Sequence, residues 1–381
     1  MKKVYFIGAG PGDPELITVK GQKIVKEADV IIYAGSLVPK EVIDCHKDGA
    51  EIYNSASMNL DEVMEVTIKA QKKGKLVARV HTGDPSIYGA IREQMDILDE
   101  YGIEYEVIPG VSSFVAAAAA IKKERGNFMK KVYFIGAGPG DPELITVKGK
   151  RIVKEADVII YAGSLVPKDV IDCHKDGAEI YNSASMNLDE VMEVTIKAQK
   201  NGKLVARVHT GDPSIYGAIR EQMDILDEYG IEYEVIPGVS SFVAAAAAIK
   251  KEFTLPDVSQ TIICTRLEGR TSVPEAESLE SLASHKCSMA IFLSVQMIDE
   301  VVKRLLKHYE KTTPIAIVQR ATWEDQKIVM GTLETIAELV KKEKITKTAQ
   351  ILVGNFIGNE YSKSKLYDKT FSHEFRKGIE E

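Results

Sequence analysis

The chain is poor in the residues that build staples and redox centres: it has four cysteines and one tryptophan among 381 residues. The thiols, Cys45, Cys173, Cys264 and Cys287, form no CxxC pair. That argues against a disulfide framework or a cysteine zinc site and leaves reduced thiols, which fits a cytoplasmic location. Apart from a Cys-His dipeptide that occurs twice, the seven histidines are scattered without HExxH or any other ligand spacing, so no protein-bound metal is expected. A G-x-S-x-G nucleophile elbow is also missing. No apolar run approaches the ~20 residues that cross a bilayer. Val4-Tyr5-Phe6-Ile7 is cut short by Gly8-Ala9-Gly10-Pro11-Gly12-Asp13, and Phe242–Ile249 is an alanine-rich helix candidate, so neither an export signal nor a membrane span is expected. Positive charge is not in excess. With a net charge of −7, basic residues interleaved with acids and no aromatic stacking platform, neither nucleic acid nor a membrane surface is an expected partner.

What the chain does have is a repeat. Residues 129–252 copy residues 1–124 at a constant offset of 128, differing only at Gln22/Lys150, Lys23/Arg151, Glu41/Asp169 and Lys73/Asn201. A unit of this length is domain-sized rather than a solenoid repeat of about 20–50 residues. Residues 253–381 occur once and follow copy 2, whereas copy 1 reaches copy 2 through the short linker 125–128. The sequence therefore predicts three domains, 1–124, 129–252 and 253–381, with one complete two-domain unit at 129–381 and an extra first half before it. A hydrophobic content of 45% and a charged content of 28% allow each a core.

Copy 2 alternates short apolar strands (Lys131–Ile135, Asp157–Tyr161, Lys203–Val208, Tyr233–Ile236) with amphipathic helices (Thr146–Glu155, Leu188–Lys200, Ile215–Tyr229, Ser240–Lys250). This is the pattern of an α/β fold with a mainly parallel sheet covered on both faces. A second strand-and-helix series occupies 253–381, with a hinge near Glu252–Pro256 and a loosely docked tail from Tyr361.

Three loops at strand ends are candidates for chemistry. In Ile135-Gly136-Ala137-Gly138-Pro139-Gly140-Asp141-Pro142 the glycines allow close backbone approach, but the G-x-G-x-G spacing is not the dinucleotide fingerprint. The segment reads equally as a tight strand-to-helix turn. In His209-Thr210-Gly211-Asp212-Pro213-Ser214, Asp212 is either a ribose or ammonium acceptor or an N-cap. Ile236-Pro237-Gly238-Val239-Ser240-Ser241 offers hydroxyls for capping or for a ligand. Three such loops at one sheet edge favour a shared pocket.

The order GAGPGDPELIT, HTGDPSIYG, IPGVSS, IFLS and QRATWEDQKIVMGTL resembles the tetrapyrrole methylases across 129–381, and in copy 1 across the first half alone. The resemblance implies a two-domain α/β unit binding S-adenosylmethionine between its domains. The implied cofactor contacts are Pro139, Thr210, Gly211, Asp212, Ile215, Ser240 and Ser241, with Leu293 and Ala321 from the second domain, where the family often has methionine and glycine. Residues 265–275 and the tail 364–373 look like the members that methylate carbon 11 of precorrin-4 or cobalt-precorrin-4. Arg266, Arg270 and Arg320 are then candidates for the substrate's carboxylates, because a guanidinium fork suits bidentate pairing; each could equally be a solvated surface arginine. Asp141 is the candidate for assisting proton loss. A tetrapyrrole partner and a homodimer follow from the resemblance, with copy 1 able to take a partner's place. The competing readings are a methylase of another substrate and a non-catalytic cofactor-binding module.

Overall fold

The Val-Tyr-Phe-Ile-Gly run that opens each copy becomes an inner strand of a parallel sheet. The computed structural model describes residues 2–121, 131–269, 271–364, 368, 370–372, 374 and 376–377. Copy 1 runs β1 (Val4–Gly8), α1 (Val19–Glu27), β2 (Val30–Tyr33), β3 (Glu51–Asn54), α2 (Leu60–Lys72), β4 (Val77–His81), α3 (Arg92–Glu100), β5 (Tyr105–Ile108) and α4 (Ser113–Ala120). Copy 2 runs β6 (Val132–Gly136), α5 (Val147–Glu155), β7 (Val158–Tyr161), β8 (Glu179–Asn182), α6 (Leu188–Lys200), β9 (Val205–His209), α7 (Arg220–Glu228), β10 (Tyr233–Ile236) and α8 (Ser241–Ala248). Their sheets have the orders β3-β2-β4-β1-β5 and β8-β7-β9-β6-β10, every pairing parallel.

Local chemistry sets the helix ends. Asn59 and Asn187 open α2 and α6 with reciprocal capping boxes to Glu62 and Glu190, each satisfying two otherwise orphaned N–H groups. The helix expected from Ile215 starts only at Arg220, because Tyr216 and Ala218 take left-handed φ of 54° and 48°. Between them a Cβ on Gly217 would lie 2.1 Å from the Pro213 carbonyl oxygen, so this tight turn needs glycine.

Residues 253–364 add β11 (Ile262–Arg266), α9 (Leu279–Ala283), β12 (Ser288–Phe292), α10 (Ile298–Leu305), β13 (Pro314–Gln319), β14 (Lys327–Thr332), α11 (Ile336–Lys342) and β15 (Ala349–Val353). Their sheet is mixed, β11-β12-β15-β13-β14, with only β11–β12 parallel.

The two copies meet about a pseudo-twofold axis. Val19 donates its N–H to the Ile145 carbonyl, and Val147 to the Ile17 carbonyl, each at 3.0 Å. Lys20 pairs with Asp141 and Lys148 with Asp13. One of the four sequence differences breaks the symmetry here: Arg151 grips Glu15 through two bonds of 2.9 and 2.8 Å, where Lys23 makes one contact to Glu143. Leu144 of copy 2 is buried in the core of copy 1.

The terminal helices are exchanged. Helix α8 of copy 2 packs on β5 of copy 1, and α4 of copy 1 packs on β10 of copy 2. Ala247 joins the core formed by Phe6, Ile91 and Val107, and the Lys250 ammonium sits 4.2 Å over the Tyr105 ring. The chain then continues along copy 1: the Glu252 carboxylate accepts from the N–H groups of Ala90, Ile91 and Arg92, and Phe253 N–H donates to Ser86 O. The tail expected to dock loosely also returns to copy 1, through Tyr361 to Asp96, Ser364 to Glu93 and Arg376 to the Met58 carbonyl. The second domain thus rests on both copies.

Candidate functional site

Strands β6, β9 and β10 end side by side, and the three glycine loops leave from their carboxyl edge, where open parallel sheets bind ligands. Only glycine fits where the loops cross. A Cβ on Gly136 would lie 2.6 Å from Gly238 Cα, and one on Gly238 would lie 2.3 Å from the Gly211 carbonyl oxygen. Gly211 takes a φ of 63°, and its N–H donates to Gly138 O at 2.8 Å.

Of the two roles the sequence leaves open for Asp212, ligand acceptor or N-cap, the structure displays backbone capping. One carboxylate oxygen accepts from Ser214 N–H and the other from Gly238 N–H, both at 2.8 Å, and the side chain is buried. Burial raises its pKa while the two bonds oppose the rise. Asp212 therefore stitches the second loop to the third. Behind it His209 is buried without a partner for Nε2 among the described residues, and burial pushes its pKa down to about 3, so the ring stays neutral.

The second domain supplies the facing wall. Phe292 packs against Tyr216 with the rings tilted at 48° and centroids 5.0 Å apart, and Ile215 and Ala321 share one apolar cluster with Val239, Phe242 and Phe292. Leu293 is 74% exposed with a left-handed φ of 53°; Arg320 and Thr322 are also left-handed, at 49° and 72°. Non-glycine residues in this conformation cost about 1–3 kcal/mol each and gather at ligand clamps. Thr210 is half-buried beside the glycine loops, and Ser240 is buried. Ser241 faces the other way, donating its hydroxyl to Gln350 at 3.0 Å, so of the serine pair it is the one the second domain claims.

The charged candidates are largely engaged. Arg266 donates to the carbonyls of Thr271 and Ser272 at 3.2 and 2.7 Å, holding its own loop beside a cavity of about 290 Å³ that Tyr216 and Thr265 also line. Arg320 pairs with Asp325 at 2.6 Å and lies 4.0 Å from the Trp323 ring centroid. Arg270 lies outside the described residues. Asp141 accepts from Glu143 N–H at 2.9 Å and from Lys20 Nζ at 3.2 Å, while its own N–H donates to Thr322 Oγ1 at 3.0 Å. Capping its turn and paired with a lysine of the other copy, Asp141 acts here as a brace between the copies. Pro139 is buried, and its carbonyl accepts the Trp323 indole N–H at 2.8 Å. The sequence motifs assign no role to Trp323, Tyr216 or Lys20, and place Glu252 only at a hinge; the signal available for Trp323 is its standing as the sole tryptophan, inside the QRATWEDQ segment.

This geometry defines a class, two α/β domains closing a cleft whose floor is three crossed glycine loops and whose wall is an apolar, locally strained sheet edge. The chain belongs to the tetrapyrrole (corrin/porphyrin) methylases, whose family model matches residues 3–125 and again 131–337. It is 60% identical over 250 residues to the cobalt-precorrin-4 C(11)-methyltransferase of Methanocaldococcus jannaschii, covering 96% of that protein and 65% of this chain. Identity is 48% over 248 residues to the precorrin-4 C(11)-methyltransferase of Pseudomonas aeruginosa, covering 99% of that protein and 65% of this chain. Among solved structures, a cobalt precorrin-4 methyltransferase aligns with a TM-score of 0.59 at 47% identity, over 96% of that chain and 60% of this one. A uroporphyrin-III C-methyltransferase from Thermus thermophilus, complexed with S-adenosylhomocysteine, aligns with a TM-score of 0.51 at 25% identity, over 98% of that chain and 60% of this one.

Proposed function

We propose that the chain is an S-adenosylmethionine-dependent methyltransferase that methylates carbon 11 of precorrin-4 or cobalt-precorrin-4 in cobalamin biosynthesis. The observation that carries this reading is the 60% identity across nearly the whole length of a cobalt-precorrin-4 C(11)-methyltransferase. The site fits the cofactor: the glycines let three loops converge at the sheet edge, Thr210 and Ser240 offer hydroxyls there, and Ile215, Leu293 and Ala321 offer an apolar wall.

The cofactor supplies an electrophilic methyl on a sulfonium, so the protein's work is positioning and exclusion of water. The glycine loops and the Asp212 brace hold the floor rigid, while Phe292, Ala321 and Leu293 close the wall above it. Arg266 and Arg320 each spend only part of their guanidinium donors on local partners, so either can meet a substrate carboxylate with those contacts kept. We further infer that the chain is a monomer. The reciprocal contacts by which copy 1 lies against copy 2 support this reading, since a twofold dimer would make contacts of the same paired kind.

Incubation with precorrin-4 and with cobalt-precorrin-4, followed by mass spectrometry and assignment of the methylated carbon, tests the reading. One methyl gained at carbon 11 is expected. A 36% identity to a uroporphyrinogen-III C-methyltransferase of Priestia megaterium marks the competing outcome, methylation of another tetrapyrrole at another carbon.

A further inference from the structure

The repeat provides an internal control on the glycine loop. Gly8–Asp13 and Gly136–Asp141 have identical letters, and Gly10 and Gly138 share a left-handed φ of 74° and 78°. Two residues later the backbones part. Gly12 has φ 118° with nothing within 4 Å of a built Cβ, whereas Gly140 lies outside the positive-φ region and a Cβ there would lie 2.3 Å from Trp323 Cδ1. The same sequence thus adopts one conformation when open and another when an indole is laid against it.

The indole is held from two sides. Its N–H donates to Pro139 O at 2.8 Å, the Arg320 guanidinium covers its ring at 4.0 Å, and Asp325 holds Arg320. Next to it the Asp141 N–H is taken by Thr322 Oγ1, and the Thr322 N–H by Gln326 Oε1 at 2.8 Å. This turn carries two left-handed non-glycine residues, Arg320 and Thr322, so its shape is maintained against backbone strain. No comparable partner stands over Gly12.

We propose that Trp323 is a positioning residue for the cofactor: its indole latches the glycine loop of copy 2, sets the backbone at Gly140, and ties closure of the second domain to occupation of the cleft. This rests on the S-adenosylmethionine reading above. Gly140 is then glycine because the indole needs the space, whereas Gly12 faces open solvent.

The single tryptophan makes the test direct. The full chain is titrated with S-adenosylhomocysteine while calorimetry reports binding and tryptophan emission and acrylamide quenching report the latch. A saturable change in emission, with reduced quenching at the calorimetric affinity, is expected. Trp323→Ala should raise KM for S-adenosylmethionine at least about tenfold with a smaller fall in kcat, and Trp323→Phe, which keeps a ring but loses the N–H, should fall between. Gly140→Ala should match Trp323→Ala, and the double variant should be no worse than either, because both remove one contact. Emission and quenching that stay constant while calorimetry shows saturation, or wild-type KM in Trp323→Ala, would overturn the latch. No heat of binding in the unaltered chain overturns the cofactor reading, and the latch with it.

Discussion

Asp84 and Asp212 occupy the same buried brace in two sequence-identical loops, and replacing each with alanine separates folding from catalysis. Asp84 accepts from Ser86 and Gly110 N–H groups at 2.8 Å each, matching the bonds of Asp212 to Ser214 and Gly238. Two hydrogen bonds to a charged acceptor are worth about 3–6 kcal/mol. Against this stands the burial of the carboxylate, which outweighs those same bonds and leaves the Asp84 pKa raised to about 6. Each alanine variant should therefore lose about 1–3 kcal/mol in urea unfolding, a similar amount for both. Methyl transfer should divide them. The loop after Asp212 meets Phe292 through Tyr216, whereas the loop after Asp84 carries the Phe253 linker through the Ser86 carbonyl. Asp212→Ala should abolish most turnover; Asp84→Ala should leave most of it at temperatures where the protein stays folded. Equal loss of turnover in folded protein would refute the assignment of the working cleft to copy 2.

Glu252, pushed up to about 7 by burial against the bonds from α3, makes a stabilising contribution that is complete below its ordinary value of 4.5 and lost as pH rises through 7. Glu252→Gln should flatten the pH dependence of Tm over that window, by the equivalent of about 3 kcal/mol. Isothermal titration with S-adenosylhomocysteine should give one tight site per chain, because α4 is largely exposed where the identical α8 is covered by the second domain; two equal tight sites would contradict that asymmetry. Light scattering of the full chain should return the 42.0 kDa of a monomer, and a mass near twice that would show that copy 1 does not occupy a partner's place.

Strands with unbroken apolar runs and helices with strong caps were legible in the sequence: helix Leu188–Lys200 ends where its pattern ends. Strand β8 was missed because Glu-Ile-Tyr-Asn lies largely exposed at the sheet edge and shows no buried run. The first turn expected of α7 is missing because backbone strain at Tyr216 and Ala218, which no periodicity records, unrolls it. The glycine loops could be located, but whether Asp212 faces a ligand or its own backbone depends on where Gly238 N–H points. The exchange of α4 and α8 had no sequence signal, since identical segments fit either sheet equally well.

That exchange has a consequence for how the chain is made. When copy 1 is complete, β10 does not yet exist, and α4 has only β5 of its own half to cover. The native arrangement requires α4 to leave that seat, or never take it, so that α8 can fill it. Because the two helices share every letter, side-chain preference does not favour one occupant over the other, and connectivity must decide. Refolding from denaturant is accordingly expected to show a slow phase, in which early self-covered halves reopen before the second domain finds both of its supports.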